Sequence, residues 1–292
     1  MITLWLRAIR IRFLFASIIA VINGLAISVW KNGSFDIYYA VLTCGGVICL
    51  HASVDLLNDY WDYRRGIDKV TKRTKFSGGT GVLPENLLKP KTVYCAGILF
   101  LLLGSLIGIY FVVIRGVTIA IILVFAIFAI YFYSTKIVNL GLGELFVAIK
   151  SSMIVIGAFY VQTGFIDIAA IYIGVIIGTL SASVLFVNSF PDYYADRDNG
   201  RRTLVIILGK KRGAKVLSLL VSITYLMIAV GVLFGYTRLY SLISFVSIPL
   251  AVKAIRYLDE NNEKLEKLVP AMTTTLLYSR ITGILLAIGL LL

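Results

Sequence analysis

Cysteine, histidine and charge are all scarce in this sequence. The 292-residue chain contains three cysteines and one histidine, and only 15% of its residues are charged. Cys44, Cys49 and Cys95 lie within or beside apolar runs and have neither metal-ligand nor disulfide spacing, so we interpret them as packing residues. The scarcity of charge argues against an ordinary soluble globular protein.

Apolar residues make up 59% of the chain, and its mean hydropathy is +0.93. Such a composition is typical of a polytopic membrane protein. The formal net charge of +13 would suggest nucleic-acid binding in a soluble domain. In a membrane protein, however, basic residues gather in cytoplasmic loops that face anionic lipid. We therefore expect membrane lipid around the chain and no nucleic-acid partner.

Because about 20 apolar residues cross the hydrocarbon core as a helix, long apolar runs predict membrane spans. The sequence contains nine such runs. It therefore predicts an all-α polytopic membrane protein, with nine transmembrane helices around a central cavity in a single domain, residues 1–292. The predicted spans cover residues 12–30, 37–58, 93–113, 116–134, 143–162, 168–190, 214–235, 239–255 and 272–291.

Basic residues are distributed unequally across these spans. Alternation places 23 of the 28 Lys and Arg residues on the side of the N-terminus and three on the opposite side. Lys150 and Arg280 remain inside spans. Since cytoplasmic loops carry the excess of Lys and Arg, the sequence predicts a cytoplasmic N-terminus. One missed or extra span would scramble this asymmetry, so the asymmetry supports the count of nine.

Residues 52–68, which end in NDYWDYRRGID, resemble residues 182–198, which end in NSFPDYYADRD. Seven of the 17 aligned positions are identical. Both copies end a span, the second and the sixth, on the basic side, so they point the same way and can face each other across a cavity. Polar residues four positions apart are expected to share a helix face. They are Asn58 and Asp62 in the first copy, and Asn188, Asp192 and Asp196 in the second.

Acidic side chains at these positions need a compensating charge. A carboxylate costs about 2.5–3.5 kcal/mol at the bilayer centre and less near the interface. Converging carboxylates also repel one another unless cations are present. Carboxylate and amide oxygens without a histidine or cysteine partner suit Mg²⁺, which keeps water and substrate phosphate in its shell. The sequence thus predicts a site for Mg²⁺, with two ions, between the copies.

Basic residues surround the acidic copies, and together they fit a multiply charged oxygen anion such as a diphosphate. A diphosphate at the membrane interface, with its tail among apolar helices, indicates a polyprenyl diphosphate. Its allylic carbocation needs a dry pocket with aromatic faces. The positive-inside rule and ordinary packing also explain these residue types. The candidates are Arg64, Arg65, Lys69, Arg73, Lys136, Arg197, Arg201 and Arg202, of which Arg64, Arg65 and Lys136 lie nearest the helix ends, and Tyr131, Phe132, Tyr133, Phe159 and Tyr160.

These motifs resemble the UbiA superfamily of intramembrane prenyltransferases, whose members have nine transmembrane helices and aspartate-rich motifs on the second and sixth. Asn58, Asp59 and Asp62 match the family pattern N-D-x-x-D-x-x-x-D, but the next acid is Asp68, six residues on. This departure, like the segments GLGE and YVQTG, is similar to the branch that prenylates 1,4-dihydroxy-2-naphthoate for menaquinone.

The second family motif, D-x-x-x-D, is matched by Asp192 and Asp196 and is followed by DNGRRTL. The resemblance implies Mg²⁺-dependent prenyl transfer between the two motifs. The metal ligands it implies are Asn58, Asp59, Asp62, Asp68, Asn188, Asp192 and Asp196, and whether Asp68 and Asp198 serve as outer acids stays open. We expect Asp62, Asp192, Lys136 and Arg64 to be catalytic, and substrate to be bound by Asn58, Asn188, Arg65, Tyr131, Tyr133, Arg197, Arg201, Asp55 and Lys150.

Ionisable residues inside predicted spans are functional candidates by default. Among them are His51, Asp55, Lys150 and Arg280. His51 and Asp55 form either a hydrogen-bonded packing pair or a device that orients the acceptor. Lys150 pairs with an acid, steers the acceptor's phenolate, or snorkels to the interface. The segment SGGTGVLPE, residues 77–85, is either a cap over the cavity or a plain loop.

The predicted function is Mg²⁺-dependent transfer of a prenyl group from a polyprenyl diphosphate to a lipophilic aromatic acceptor such as 1,4-dihydroxy-2-naphthoate, at the cytoplasmic face of the cell membrane. One alternative is O-prenylation of geranylgeranylglyceryl phosphate, which needs the same metal site and another acceptor pocket. A second is a secondary transporter, because repeats and intramembrane acids occur there too. Transporter acids tend towards the midplane, whereas these cluster at one face.

Overall fold

The computed structural model describes residues 1–33, 35–70, 73–132 and 140–292, with the backbone alone at residues 69 and 70. Within these residues the regular structure is entirely helical. Two 3-10 segments, Leu239–Ser247 and Leu265–Lys267, precede the last two α-helices. The α-helices in chain order are α1 (Ile2–Ala8), α2 (Ile11–Asn32), α3 (Ile37–Arg64), α4 (Ile67–Val70), α5 (Pro90–Arg115), α6 (Val117–Phe132), α7 (Gly143–Thr163), α8 (Ile168–Asn188), α9 (Tyr193–Asp198), α10 (Leu204–Leu208), α11 (Lys210–Leu233), α12 (Ile248–Asn261) and α13 (Leu268–Leu291).

Eight helical segments among the described residues are long and apolar enough to cross a membrane, and α6 is a shorter apolar helix. They lie at the nine predicted positions, so the all-α polytopic fold is confirmed. The predicted span 116–134 ends among residues that the structure does not describe. The predicted span 239–255 begins with 3-10 geometry and becomes α-helical at Ile248.

The end of α3 differs from its predicted boundary. This helix continues six residues beyond the expected end at residue 58 and stops at Arg64. Asn58, Asp59 and Asp62 therefore all lie on the last two turns of one helix. Asp36 fixes the other end of α3, because its carboxylate accepts a hydrogen bond from the backbone N–H of Tyr39 at 3.0 Å.

The main apolar core is formed by α2, α7, α8, α11, α12 and α13. Small residues let some of these helices approach closely, as is common in membrane bundles. A Cβ atom on Gly178 of α8 would lie 2.5 Å from the Ala148 carbonyl oxygen of α7, so only glycine fits there. On the outer surface, large apolar side chains such as Val113 and Leu226 are exposed, as expected of helices that face lipid.

Candidate active site

A deep cavity with a volume of about 400 Å³ lies between α2, α3, α5, α6, α7, α8 and α13. Acidic, amide and basic side chains line one end, and apolar side chains such as Phe111 and Val161 line the other. Along α3 the lining extends from Thr43 to Asp62, a distance of about 28 Å at 1.5 Å per residue. The cavity therefore has the shape and chemistry to hold an amphiphile with an anionic headgroup.

The first acidic segment, residues 58–68, brings Asn58, Asp62 and Asp68 to the polar end of this cavity. Asn58 donates from Nδ2 to Asp62 Oδ2 at 3.3 Å, which confirms that these two residues share a helix face. Asp62 and Asp68 are both about 5% exposed. Asp59 lies on another face of α3, and both of its carboxylate oxygens are occupied: Arg10 donates to Oδ1 and the Thr80 hydroxyl donates to Oδ2.

The second acidic segment, residues 188–198, brings Asn188, Asp192 and Asp196 to the same end of the cavity. The predicted continuous stripe of helix is wrong here. α8 ends at Asn188, and Asp192 is the N-cap residue of the short helix α9. The reason is Pro191, which has no backbone N–H to continue the helix and disfavours helical geometry in the residue before it.

Arg201 joins the two segments. Its guanidinium donates from Nη2 to Asp62 of the first segment, and from Nη1 to Asp196 Oδ1 of the second at 3.2 Å. The side chain of Arg201 is only 12% exposed. The predicted convergence of two acidic clusters, contributed by spans two and six, is therefore present in the geometry.

The loop between α4 and α5, described from residue 73 to residue 89 and called the capping loop below, covers the polar end of the cavity. The backbone N–H of Gly78 donates to Asp192 Oδ2 at 3.1 Å. A Cβ atom on Gly79 would lie 2.7 Å from Asp68 Oδ1, so this close approach requires glycine. The loop is fastened at its outer side by Arg7, which donates to the Thr80 carbonyl oxygen at 2.7 Å and pairs with Glu85 at 2.8 Å.

The site carries more negative charge than its arginines neutralise. Burial, followed by the charges of Asp59 and Asp62, raises the pKa of Asp68 to about 8. Burial and the neighbouring charge of Asp196 raise the pKa of Asp192 to about 7. The Oδ1 atom of Asp192 is buried, and no group in the described part of the chain hydrogen-bonds to it. A cation that binds here would relieve both the repulsion and the unsatisfied oxygen.

The oxygen donors fit a hard divalent cation, although they are not gathered around one point. In the part of the chain that the structure describes, no three His, Cys, Asp or Glu side chains form a ready-made metal-binding group. Arg10 and Arg201 separate the acids because each provides the counter-charge for one or two of them. The donors that line the cavity are carboxylates and amides, the ligand types that suit Mg²⁺.

The structure brings most of the predicted residues to the cavity but leaves some outside it. Tyr133 and Lys136 lie outside the described residues. Among the others, Asp59 faces Arg10 and Thr80, Arg64 is exposed, and Arg65 contributes with Arg201 to a small adjoining pocket. Tyr131 is 48% exposed, and Arg197 points to Asp198 at 3.2 Å. The predicted residues that line the cavity are Asp55, Asn58, Asp62, Asp68, Lys150, Asn188, Asp192, Asp196 and Arg201.

Sequence reasoning missed the contribution of Arg10 and Thr80. The charge asymmetry predicts only a cytoplasmic position for Arg10, yet this residue lines the cavity and pairs with Asp59. It adopts a left-handed backbone conformation, with φ of 46°, at the break between α1 and α2. The sequence does indicate a role for Arg10, because it stands at the start of an apolar run, where a charge needs a partner. Thr80 carried no such signal, since only the folded loop brings it to Asp59.

Fold and site together define a polytopic membrane protein with an acid- and arginine-lined cavity mouth. The chain belongs to the UbiA prenyltransferase family, whose family model matches residues 17–277. It is therefore an integral membrane prenyltransferase, and the predicted family is confirmed.

Individual relatives agree with this assignment. The chain is similar to the 1,4-dihydroxy-2-naphthoate octaprenyltransferase of Bacillus subtilis, with 26% identity over 94% of this chain and 88% of that protein. It is also similar to the enzyme of the same name from Escherichia coli, with 27% identity over 98% and 94% of the two chains. A UbiA homolog from Archaeoglobus fulgidus, solved with DMAPP and Mg²⁺ bound, shares the fold, with a TM-score of 0.69, 17% identity, and coverage of 97% of this chain and 99% of that chain.

Proposed function

We propose that this protein transfers a prenyl group from a polyprenyl diphosphate to a lipophilic aromatic acceptor, with release of diphosphate. The acceptor class follows from the names of the relatives, and 1,4-dihydroxy-2-naphthoate is the acceptor we expect. The observation that carries the proposal is the Arg201 bridge between Asp62 and Asp196, at the mouth of a deep apolar cavity. A headgroup at this bridge leaves its tail among apolar side chains.

The residues proposed to hold Mg²⁺ are those whose oxygens line the cavity mouth. When bound, the metal would supply positive charge that stabilises the diphosphate. Arg201 and a divalent cation are alternative counter-charges for the same carboxylates, so we propose that Arg201 turns towards the diphosphate when metal is present. The proposed ligands are Asn58, Asp62, Asp68, Asn188, Asp192 and Asp196. Asp59 faces Arg10 and Thr80 away from the cavity lining, so its role as a ligand stays a prediction.

The chain's own side chains provide the remaining catalytic effects. As the bond between the allylic carbon and the diphosphate oxygen breaks, its electron pair leaves on the diphosphate, and Arg201 stabilises the charge that develops there. The capping loop keeps bulk water from the mouth, and the apolar wall keeps the allylic carbon dry. The new bond forms between that carbon and a ring carbon of the acceptor, which then releases the group it carried, H⁺ or CO₂, so that the ring regains its aromaticity.

The proposed location of the active site is the cytoplasmic face of the cell membrane. The end of α3 and the start of α9 lie on the side that carries 23 of the 28 basic residues, which is cytoplasmic by the positive-inside rule. Lipid reaches the exposed apolar faces of the outer helices. The donor and the acceptor are both membrane-soluble, so they can enter from the bilayer.

The experiment is a turnover assay with purified protein, Mg²⁺ and a labelled polyprenyl diphosphate against three acceptors: 1,4-dihydroxy-2-naphthoate, a hydroxybenzoate and geranylgeranylglyceryl phosphate. We expect Mg²⁺-dependent product with the naphthoate and none without an acceptor. If product forms only with geranylgeranylglyceryl phosphate, the proposed transfer to an aromatic acceptor is wrong and the function is O-prenylation of that lipid. Solute uptake by liposomes carrying the protein, without turnover of any acceptor, would favour a transporter.

A further inference from the structure

A second polar cluster lines the same cavity further from its mouth. It consists of Ser17 on α2, His51 and Asp55 on α3, and Lys150 on α7. Asp55 precedes Asp62 by seven residues on a continuous helix, which is a depth of about 10 Å. The cluster is therefore too deep to belong to the acidic segments. Ionisable groups at such a depth are costly and indicate a function unless they are fully paired.

The cluster is only partly paired. His51 Nδ1 and Ser17 Oγ lie 2.6 Å apart, which fixes the imidazole ring. His51 Nε2 lies 3.6 Å from Asp55 Oδ2, and this buried carboxylate oxygen has no hydrogen-bond partner among the described residues. Asp55 thus offers a buried acceptor oxygen on the cavity wall, held in place by a histidine that is itself held by a serine.

Lys150 is the cation of this cluster. Its ammonium interacts electrostatically with Asp55. Among the described residues, however, no carboxylate lies within ion-pairing distance of it, and it donates no hydrogen bond. Val147 and Ile154, one turn before and one turn after Lys150, also line the cavity, so Lys150 lies on the face of α7 that meets the cavity. Snorkelling along lipid therefore does not explain it.

Arg280 is another cation on the deep wall, and one side of its guanidinium is already engaged. Its Nη2 donates to the carbonyl oxygen of Arg12, and the guanidinium lies 5.3 Å from the ring centroid of Phe15. Arg280 therefore fastens α13 to the start of α2. Of these two deep cations, Lys150 is the one with no hydrogen bond or ion pair among the described residues to hold it away from a ligand.

We propose that Lys150 and Asp55 bind the aromatic acceptor: Lys150 pairs with a ring carboxylate, and Asp55 accepts a hydrogen bond from the adjacent ring hydroxyl. His51 is a positioning residue that orients Asp55. The proposal rests on the proposed function and adds the residues that recognise the acceptor's carboxylate and the hydroxyl beside it. Such a ring lies between the deep cluster and the cavity mouth, where the allylic carbon of the donor is placed.

The test measures acceptor binding without turnover, in the absence of donor and Mg²⁺. Two probes differ by one group: 1,4-dihydroxy-2-naphthoate carries the carboxylate, and 1,4-dihydroxynaphthalene does not. Their Kd values are measured by quenching of protein fluorescence for the wild type, Lys150→Gln, Lys150→Arg and Asp55→Ala. Lys91→Gln, an exposed lysine at the start of α5, is the matched control.

For Lys150→Gln we expect a Kd for the naphthoate at least about tenfold higher, since a charge-assisted hydrogen bond is lost. Its Kd for the naphthalenediol stays within about twofold, and Lys150→Arg restores naphthoate binding because it restores the charge. Asp55→Ala weakens both probes, because both carry the hydroxyl. Lys91→Gln changes neither.

Two results would overturn the assignment: a naphthoate Kd unchanged in Lys150→Gln, or equal losses for both probes in that variant. In either case, wild-type turnover of the naphthoate would show that the proposed function survives. A wild type that binds the labelled polyprenyl diphosphate but neither binds nor prenylates the naphthoate would reject the proposed acceptor and, with it, the role of Lys150.

Discussion

The two acidic segments are similar in sequence and different in shape. The first lies on α3, which continues unbroken to Arg64, whereas the second is divided between the end of α8 and the start of α9. At the break, the N–H groups of Ser189 and Phe190 still bond to carbonyls of α8, but Pro191 has none to offer. Equal spacing in sequence therefore does not give equal directions in space.

The break changes the direction of the second set of carboxylates. Asp62 stays on the face of α3 and meets Arg201, while Asp192 turns to the capping loop and accepts from Gly78 N–H. Both segments contact the capping loop, the first through Asp59, which accepts from the Thr80 hydroxyl, and the second through Asp192. They differ in that Asp62 also meets Arg201 from an unbroken helix, whereas Asp192 stands at the start of a new one.

One position shows the asymmetry most directly. Asp59 aligns with Ser189, so only the first segment has a carboxylate there. Asp59 needs Arg10 and Thr80 as partners, whereas the Ser189 hydroxyl donates to the carbonyl oxygen of Leu185 in its own helix, at 3.0 Å. A charge at this position is tolerated because the junction between α1 and α2 and the capping loop bring partners to it.

The largest effect is expected from removing one carboxylate charge from each segment. Asp62→Asn and Asp192→Asn should each lower kcat/KM by at least about 100-fold, because each removes charge from the proposed metal and diphosphate site. Asp198→Asn is the control, since the Asp198 side chain is 66% exposed and pairs with Arg197. If only one of the two segments proves sensitive, the proposed shared site is wrong.

Arg201→Gln should have the next largest effect on turnover. We expect kcat/KM to fall by about 10- to 100-fold, because the variant loses a charge-assisted contact to both segments and to the proposed diphosphate. Arg197→Gln is a matched control from the same short region, and it should change kcat/KM by less than about threefold because the Arg197–Asp198 pair is exposed. Similar losses in the two variants would contradict the bridging role.

Arg10→Gln removes the cation that pairs with Asp59 of the first segment. It should lower stability more than Ser189→Ala, a substitution at the aligned position of the second segment. The variant leaves the buried Asp59 carboxylate without its cation, at a cost of about 2 kcal/mol, below the range for fully buried pairs because Arg10 is 23% exposed. Ser189→Ala should cost about 1 kcal/mol or less, since it removes one local hydrogen bond. Thermal unfolding in detergent measures the Tm of both variants. Equal shifts in Tm would contradict the claim that only the first segment needs a distant partner at this position.

The smallest effect concerns the pH dependence of Mg²⁺ binding. Burial and the charge of Asp196 raise the pKa of Asp192 to about 7, so protons compete with the metal below pH 7. Asp192 should contribute a rise of up to about tenfold in the apparent Kd for Mg²⁺ as the pH is lowered from 8 to 6, and Asp68, whose pKa is raised to about 8, should add a rise of its own. Mg²⁺ titrations of donor binding at the two pH values measure this, and the pH dependence should be weaker in Asp192→Asn. A Kd for Mg²⁺ that is the same at both pH values would contradict it.

Much of the fold could be predicted because the bilayer imposes its length on each span. Nine apolar runs therefore correspond to eight long helices and the shorter α6. The convergence of the acidic segments was also predictable, since two spans of the same direction end on one side. The four-residue spacing of Asn188, Asp192 and Asp196 predicts a continuous helix, whereas Pro191 predicts a break. The structure follows the proline.

Other parts of the site depend on contacts between distant residues and leave no local pattern. Arg10 reaches Asp59 only because α1 and α2 meet at a left-handed residue, and Thr80 reaches it only through the folded capping loop. The sequence offers eight basic residues as candidates and does not distinguish Arg201, which enters the site, from Arg197, which pairs with Asp198. Nearness in sequence to a helix end favours Arg64 as a site residue, but the structure leaves Arg64 exposed.

The central claim is that the two segments form one site, and Mg²⁺-dependent binding of a labelled, unreactive prenyl thiodiphosphate tests it directly. Equilibrium binding is measured for the wild type, Asp62→Asn, Asp192→Asn and the double variant, with and without Mg²⁺. For a shared site, each single substitution removes most of the Mg²⁺-dependent affinity, and the double variant loses little more than either. Losses that simply add, or a single variant with full Mg²⁺-dependent binding, would contradict the account.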